Sequence, residues 1–278
     1  MHAYRISETR DLTQIRAYLM RDPDYAAYAL GDLEPPLSDS ARWFIASQGD
    51  RIEGLALVYS GLTPAVLFLM GSRPALRALL AHGVGPDEVL CLARPELEPT
   101  LARFYRLGNV HPMYRMRVTA RSFQPVEALD GSLPPPARLD ETRAGDIRRL
   151  LREAALADGR DWHDVAFDPS MMRDGYYYGI YAGGSPDAPL IAAAGTHFVA
   201  RQAGIAALGN VVVHPRQRNR GLGSRVSSIV TASLLGDGIE RVVLNVWQSN
   251  KPAIHIYQKL GYEVVGSFIE VPARRRSG

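Results

Sequence analysis

Val211-Val212-Val213-His214-Pro215-Arg216-Gln217-Arg218-Asn219-Arg220-Gly221-Leu222-Gly223-Ser224 is the stretch whose reading decides the fold of this chain. Its opening run of valines has the signature of a buried strand. Pro215 ends that strand, because it has no N–H to give to a sheet ladder. Leu222, Val226, Ile229, Val230 and Leu234 then fall at i, i+4, i+7, i+8 and i+12, one face of a helix. A strand therefore runs through a basic, glycine-bearing turn into a helix N-terminus. The first helical turn offers unpaired N–H groups and partial positive charge, and glycine lets an anion approach the backbone. Arg218 and Arg220 add fixed charge. The stretch reads as a cradle for a diphosphate.

A P-loop would need G-x-x-x-x-G-K-[ST], and the lysine is missing. A dinucleotide fingerprint fails at its third glycine, where Val226 stands. The stretch resembles the acyl-CoA loop of the GCN5-related N-acetyltransferases (GNAT), V-x-P-x-x-[RQ]-x-x-G-x-[GA], through Val213, Pro215, Arg218, Gly221 and Gly223. Farther on, Arg241 to Trp247 reads as the next strand. Asn250, Ala253, Tyr257, Gly261 and Tyr262 then resemble the family's N-x-x-A-x-x-x-Y-x-x-x-G-[FY]. Pro252 suits a first helical turn, Asn250 a cap and Gly261 a helix end. The resemblance covers residues 190–271 strictly and 137–271 more loosely.

That resemblance implies an N-acetyltransferase that uses acetyl-CoA as acyl donor and a small-molecule or protein amine as acceptor. It implies an α/β (α+β) fold, a mixed, mostly antiparallel twisted sheet flanked by helices, with a splayed pair of parallel central strands in the C-terminal copy. The pantetheine arm is expected along Val211, Val212 and Val213 like an added strand. The diphosphate is expected on the N–H groups of Asn219, Arg220, Gly221, Leu222, Gly223 and Ser224, with Arg218 nearby, and Asn250 on the cofactor arm. Tyr257 takes the role of general acid to the leaving thiolate. The base is less defined, since residues 205–214 hold no acid and the next strand offers Asn245; His197 is the candidate. The alternative is an acyl-CoA-binding sensor without turnover, which the missing strand carboxylate favours. A scaffold of paired folds leaves the arginine–glycine loop unexplained.

Composition sets the remaining bounds. At 278 residues and 46% apolar, the chain is long enough for two cores. Net charge is only +3; of 32 basic residues only Lys251 and Lys259 are lysines, and no basic stripe with interleaved aromatics points to nucleic acid. Arg274-Arg275-Arg276 reads as a solvated tail. Cys91 excludes an internal disulfide and sits in an apolar run, expected to be buried and inert. The expected setting is cytoplasmic and off the membrane, with no oligomeric state assigned.

An internal repeat organises the rest. Glu8-Thr9-Arg10 before one helical pattern recurs as Glu141-Thr142-Arg143 before another, and Phe104 to Gly108 echoes Tyr257 to Gly261. Two domains of one fold are expected, 1–124 and 137–278, joined by a proline-rich linker at 125–136. The first copy is expected to be degenerate and structural. Only Gly71-Ser72-Arg73 separates its strand from its helix, Phe104 stands where Tyr257 does, and Tyr105 would project from another side of the helix. In the second copy, residues 156–178 insert Asp158, Asp161, Trp162, His163, Asp164, Asp168 and Tyr176 to Tyr178, in the region that usually covers the acceptor.

Overall fold

The structure is a computed structural model describing residues 4–126, 134–159 and 167–276. Asp161 to Asp164 and most of the linker lie outside the described residues. The chain forms two compact units, one of Met1–Arg115, Val246–Ser249 and Val264–Gly278, the other of Met116–Asn245 and Asn250–Glu263.

In the first unit, β1 (Arg5–Thr9) leads to α1 (Leu12–Leu19), capped by the Asp11 side chain on the Gln14 N–H. After α2 (Ala27–Gly31) come β2 (Ala41–Gln48), β3 (Arg51–Tyr59) and β4 (Ala65–Gly71), an antiparallel meander. Then α3 (Arg73–Ala81) crosses over to β5 (Glu88–Ala93), parallel to β4. After α4 (Glu98–Phe104) follow β6 (Tyr105–Leu107) and β7 (His111–Thr119). The second unit repeats the order. Its sheet runs β8 (Ala137–Arg138), β9 (Tyr178–Tyr181), β10 (Leu190–Ala200), β11 (Ile205–Val213) and β12 (Arg241–Trp247). Helix α5 (Ala144–Ala157) precedes β9, and α6 (Leu222–Gly236) links β11 to β12, again parallel. α7 (Lys251–Lys259) and β13 (Glu263–Arg275) complete the chain. Each unit thus carries the meander, crossover helix and parallel pair expected of one duplicated fold.

Burial explains the pairing of helices with sheets. Ala144, Ile147, Leu150, Leu151 and Ala154 form a helical stripe on α5 that packs with Tyr177, Tyr181, Leu190, Ala193 and Val212. Cys91 is fully buried, and burial pushes its thiol up to about 12, as befits an inert core residue.

Three expectations are corrected. Residues 264–278 belong to the first unit, not with 137–263 in a C-terminal domain. The reason is period-2 burial: Ile269, Val271 and Ala273 of β13 enter the first unit's core, while the strand pairs antiparallel with β5 and β6. Tyr105 is not on a helix; α4 stops at Phe104 and Tyr105 opens β6. Its buried hydroxyl donates to the Pro86 carbonyl at 3.2 Å and accepts from Arg275 at 2.7 Å. Arg274-Arg275-Arg276 is not a solvated tail: Arg274 and Arg275 lie in β13, and the Arg275 guanidinium donates to the Val84 and Gly85 carbonyls at 2.7 and 2.9 Å.

Gly261 closes α7 at φ +86°, and a Cβ there would stand 1.8 Å from the Ser122 carbonyl oxygen. Backbone on both sides leaves no flexible group to yield. Gly261→Ala is expected to destabilise the chain by about 2 kcal/mol or more, through left-handed strain and the clash together. Urea unfolding checks this, and an unchanged midpoint would contradict the contact.

Candidate active site

The site is built where β11 leaves the sheet. β10 and β11 pair antiparallel, but the register passes from Ala193↔Val212 to Gly195↔Gly209, so β11 holds one extra residue. Asn210, at φ +51°, is that bulge. Asparagine is among the few residues that tolerate this conformation. Its side chain donates to the Tyr177 hydroxyl at 2.9 Å, and Tyr177 donates to the Thr196 carbonyl at 3.1 Å. Gly195 makes room for the Tyr177 ring, which would lie 2.4 Å from a Cβ there. The bulged strand bends away from its parallel neighbour: the β11–β12 ladder runs only from Ile205↔Arg241 to Ala207↔Val243. Val211, Val212 and Val213 lie beyond its last rung. This is the splay that the sequence leads one to expect.

Past Val213 the chain turns tightly. His214 gives its N–H to the Ile191 carbonyl at 2.9 Å, and its Nδ1 accepts from the Arg216 N–H at 3.2 Å, so it shapes the turn. Asn219 (φ +63°) and Gly221 (φ +75°) lead into α6. The helix has no side-chain cap, and its first backbone bond runs from the Arg225 N–H to the Gly221 carbonyl. The N–H groups of Leu222, Gly223 and Ser224 are therefore left outside the helical ladder. Nothing stands within 4 Å of a Cβ built on Gly221. At Gly223 a Cβ would meet only Ile256 Cδ1 and Val213 Cγ2, both at 3.5 Å. That contact also shows α7 packing against the first turn of α6 and the end of β11.

The two arginines of the loop differ from expectation. Arg218 is not a free charge; it forms a bidentate pair with Asp158, the C-cap of α5, at 2.7 and 3.1 Å. Arg220 bonds the side chain of Gln217. The Arg218 pair is about one-third exposed on both sides, so it is worth under about 1 kcal/mol and yields readily to a doubly charged ligand.

Asn250 caps α7 by accepting from the Ala253 N–H at 3.2 Å, which leaves its amide N–H₂ for other partners. Tyr257 is 8% exposed, with its ring 5.8 Å from that of Tyr262. The Tyr262 hydroxyl is fixed by Thr231 of α6 at 2.7 Å. Tyr257's own hydroxyl has no hydrogen-bond partner among the described residues, and burial raises its pKa, so it is protonated at neutral pH. On β12, Asn245 Oδ1 is buried without a partner. His197 lies over Gly209, its ring 2.3 Å from where a Cβ would be. Burial lowers its pKa to about 4, which leaves it neutral but a weak proton acceptor. The 156–178 segment is partly engaged: Asp168 caps the turn at Ser170, and the Tyr176 and Tyr178 hydroxyls reach Asp237 and Ser233 at the end of α6.

The structure thus brings Val211 to Val213, the 218–224 turn, Asn250 and Tyr257 into one unit. Sequence reading missed Asn210 and the role of Asp158. The first had a signal, a lone polar residue tolerant of positive φ within an apolar strand; the second had none. Among the described residues no cluster of His, Cys, Asp and Glu could hold a metal, and no helix is long and apolar enough to cross a membrane.

Residues 177–269 match the FR47-like protein family. No curated protein matches the chain. Among solved structures, a GNAT-family protein from Novosphingobium aromaticivorans is 21% identical over 89% of this chain and 96% of its own, with a TM-score of 0.56. A GCN5-related N-acetyltransferase from Kribbella flavida is 18% identical over 91% and 96%, TM-score 0.59. A tandem GNAT protein from the clavulanic acid biosynthesis pathway is 14% identical over 99% of both chains, also at 0.59. The chain has the fold of the GCN5-related N-acetyltransferases, and residues 177–269 of it match the FR47-like protein family.

Proposed function

We propose that this chain transfers an acetyl group from acetyl-CoA to a primary amine by direct attack. The observation that carries the reading is the uncapped start of α6, whose free N–H groups lie behind the open face of Gly221 beside a strand that has left its neighbour. The diphosphate lies on the N–H groups of residues 219–224. Arg218 exchanges Asp158 for phosphate oxygens. The amide-bearing arm pairs along Val211 to Val213, and the Asn250 amide meets it. An N–H at the end of β11 steadies the oxyanion.

Tyr257 serves as the acid. Its raised pKa does not disqualify it, because the departing thiolate forms in the same poorly solvated surroundings, which raise the thiol's pKa as well. Asn245 Oδ1 accepts an N–H from the arm or the acceptor. His197 is kept as the candidate base, acting weakly. Acyl-CoA binding without turnover is the second reading, favoured by the lack of a carboxylate on β11 and by the depressed His197.

The first unit is proposed to bind no CoA. Ser72 alone separates β4 from α3, and the carbonyls at the end of β4 accept from protein: Leu69 from the Tyr25 hydroxyl at 2.8 Å and Met70 from Tyr18 at 3.4 Å. Calorimetric titration is expected to give one acetyl-CoA site per chain. Gly221→Asp, which sets a carboxylate before the helix N-terminus, should abolish that site while circular dichroism stays native. Retained affinity would remove the diphosphate from this turn.

Tyr257→Phe should keep acetyl-CoA affinity and lower kcat about 10²-fold or more, the scale of a lost general acid. Undiminished turnover would hand the proton to water or another side chain.

A site whose candidate base is an imidazole held near pKa 4 favours acceptors that arrive already neutral. At pH 7 a lysine-like amine is uncharged in about one molecule in 2,500, whereas an α-amine is neutral roughly one time in ten. kcat/KM is therefore expected to favour α-amines, or aryl and sugar amines, over ε-amines. Preference for an ε-amine at pH 7 would reveal an unrecognised base.

A further inference from the structure

The basic turn between β11 and α6 already holds an anion of its own. Both Nη atoms of Arg218 are engaged by the two carboxylate oxygens of Asp158, at 2.7 and 3.1 Å. A fork-to-fork pair of this kind uses the same parallel N–H groups that would meet a phosphate. An incoming diphosphate cannot share that edge of Arg218; it has to replace Asp158 there.

The carboxylate stands where a helix disfavours one. Asp158 is the C-cap of α5, and its N–H reaches the Ala154 and Ala155 carbonyls at 3.1 Å, so its charge lies at the negative end of that helix. Arg218 offsets this repulsion. Glu153, five residues earlier on α5, faces the His214 ring instead, 3.7 Å from Nε2. Nε2 carries the ring proton, because Nδ1 accepts from the Arg216 N–H. α5 thus sets two carboxylates against the turn, and the one at 158 takes up a charge that the turn would otherwise offer to a ligand.

We propose that Asp158 is a built-in competitor of the cofactor, which holds Arg218 while the turn is empty and lowers the affinity of the chain for acetyl-CoA. The inference rests on the acyl-CoA reading above and adds a regulation to it. Both partners of the pair are partly exposed, so the competition is a graded restraint and not a block. The opposite role, a carboxylate that merely shapes the turn for the cofactor, predicts the opposite sign, because its loss would then weaken binding.

Acetyl-CoA is titrated into the full chain by calorimetry at pH 7 and constant ionic strength. Asp158→Asn keeps the shape of the cap and removes its charge, so it should tighten the dissociation constant about threefold, and Asp158→Ser should do the same. Arg218→Gln should weaken binding about threefold or more. In that background Asp158→Asn should bring no gain, because no guanidinium is left to release. Unchanged or weaker binding in the folded Asp158 variants, or an equal gain with and without Arg218, overturns the proposal. If Asp158→Asn does not fold by circular dichroism, Asp158→Ser decides by the same criterion. No saturation with the wild-type chain would remove the acyl-CoA reading and this inference with it, whereas saturable wild-type binding without a gain in the variants overturns the inference alone.

Discussion

One extra residue in β11 is the constraint on which the second unit depends. The parallel ladder with β12 ends at Ala207↔Val243, and beyond it the bulge at Asn210 sets β11 one residue out of step with β10. Holding a non-glycine residue at positive φ costs about 1–2 kcal/mol. The hydrogen bond to the buried Tyr177 hydroxyl returns about 1 kcal/mol. Asn210 and Tyr177 are therefore a couple: the hydroxyl that donates to the Thr196 carbonyl also accepts from the Asn210 amide, which holds the bulged residue against the core. The cofactor turn, Asn250 and Tyr257 of the proposed mechanism all lie downstream of that bend, and only the candidate base His197 precedes it.

Much of this was legible in the chain itself. The valine run, Pro215 and the 222–234 stripe announced strand, turn and helix, and the structure places their borders at Val213 and Leu222. Gly221 was readable because only a special backbone need put glycine there, and it adopts φ +75°. Asn250 was readable as a cap because capping is a local matter of three residues. What escaped depends on partners distant in sequence. Asp158 meets Arg218 sixty positions away, and nothing in either neighbourhood marks the pairing. His197 looked like a base in sequence, whereas its depressed pKa comes from its surroundings. The fate of residues 264–275 was likewise hidden, since alternating burial says that a strand has an inner face and not whose core receives it.

The two units show how one topology is put to different uses. Both have a meander, a crossover helix and a parallel pair. In the second unit, residues 214–221 separate strand from helix and leave N–H groups open; in the first, Ser72 alone does so, and tyrosine hydroxyls from the preceding helical segments occupy the strand's final carbonyls. A Cβ at Gly71 would even strike the Tyr18 hydroxyl at 2.7 Å. The first unit has closed over the place that its repeat leaves open.

The membership of β13 in the first unit has a consequence for how the molecule comes into being. Translation runs from N- to C-terminus, and the partner of β5 is made only after the strands and helices of the second unit. Until it emerges, β5 shows an unpaired edge and Leu67, Leu76 and Cys91 lack part of their cover. The first unit to be synthesised is thus the one that cannot finish first, and its completion must wait on a pairing of long sequence separation, the slow kind. Gene fission between the repeats would strand the first without its closing strand. Through this one strand the two repeats are bound into a single unit of inheritance.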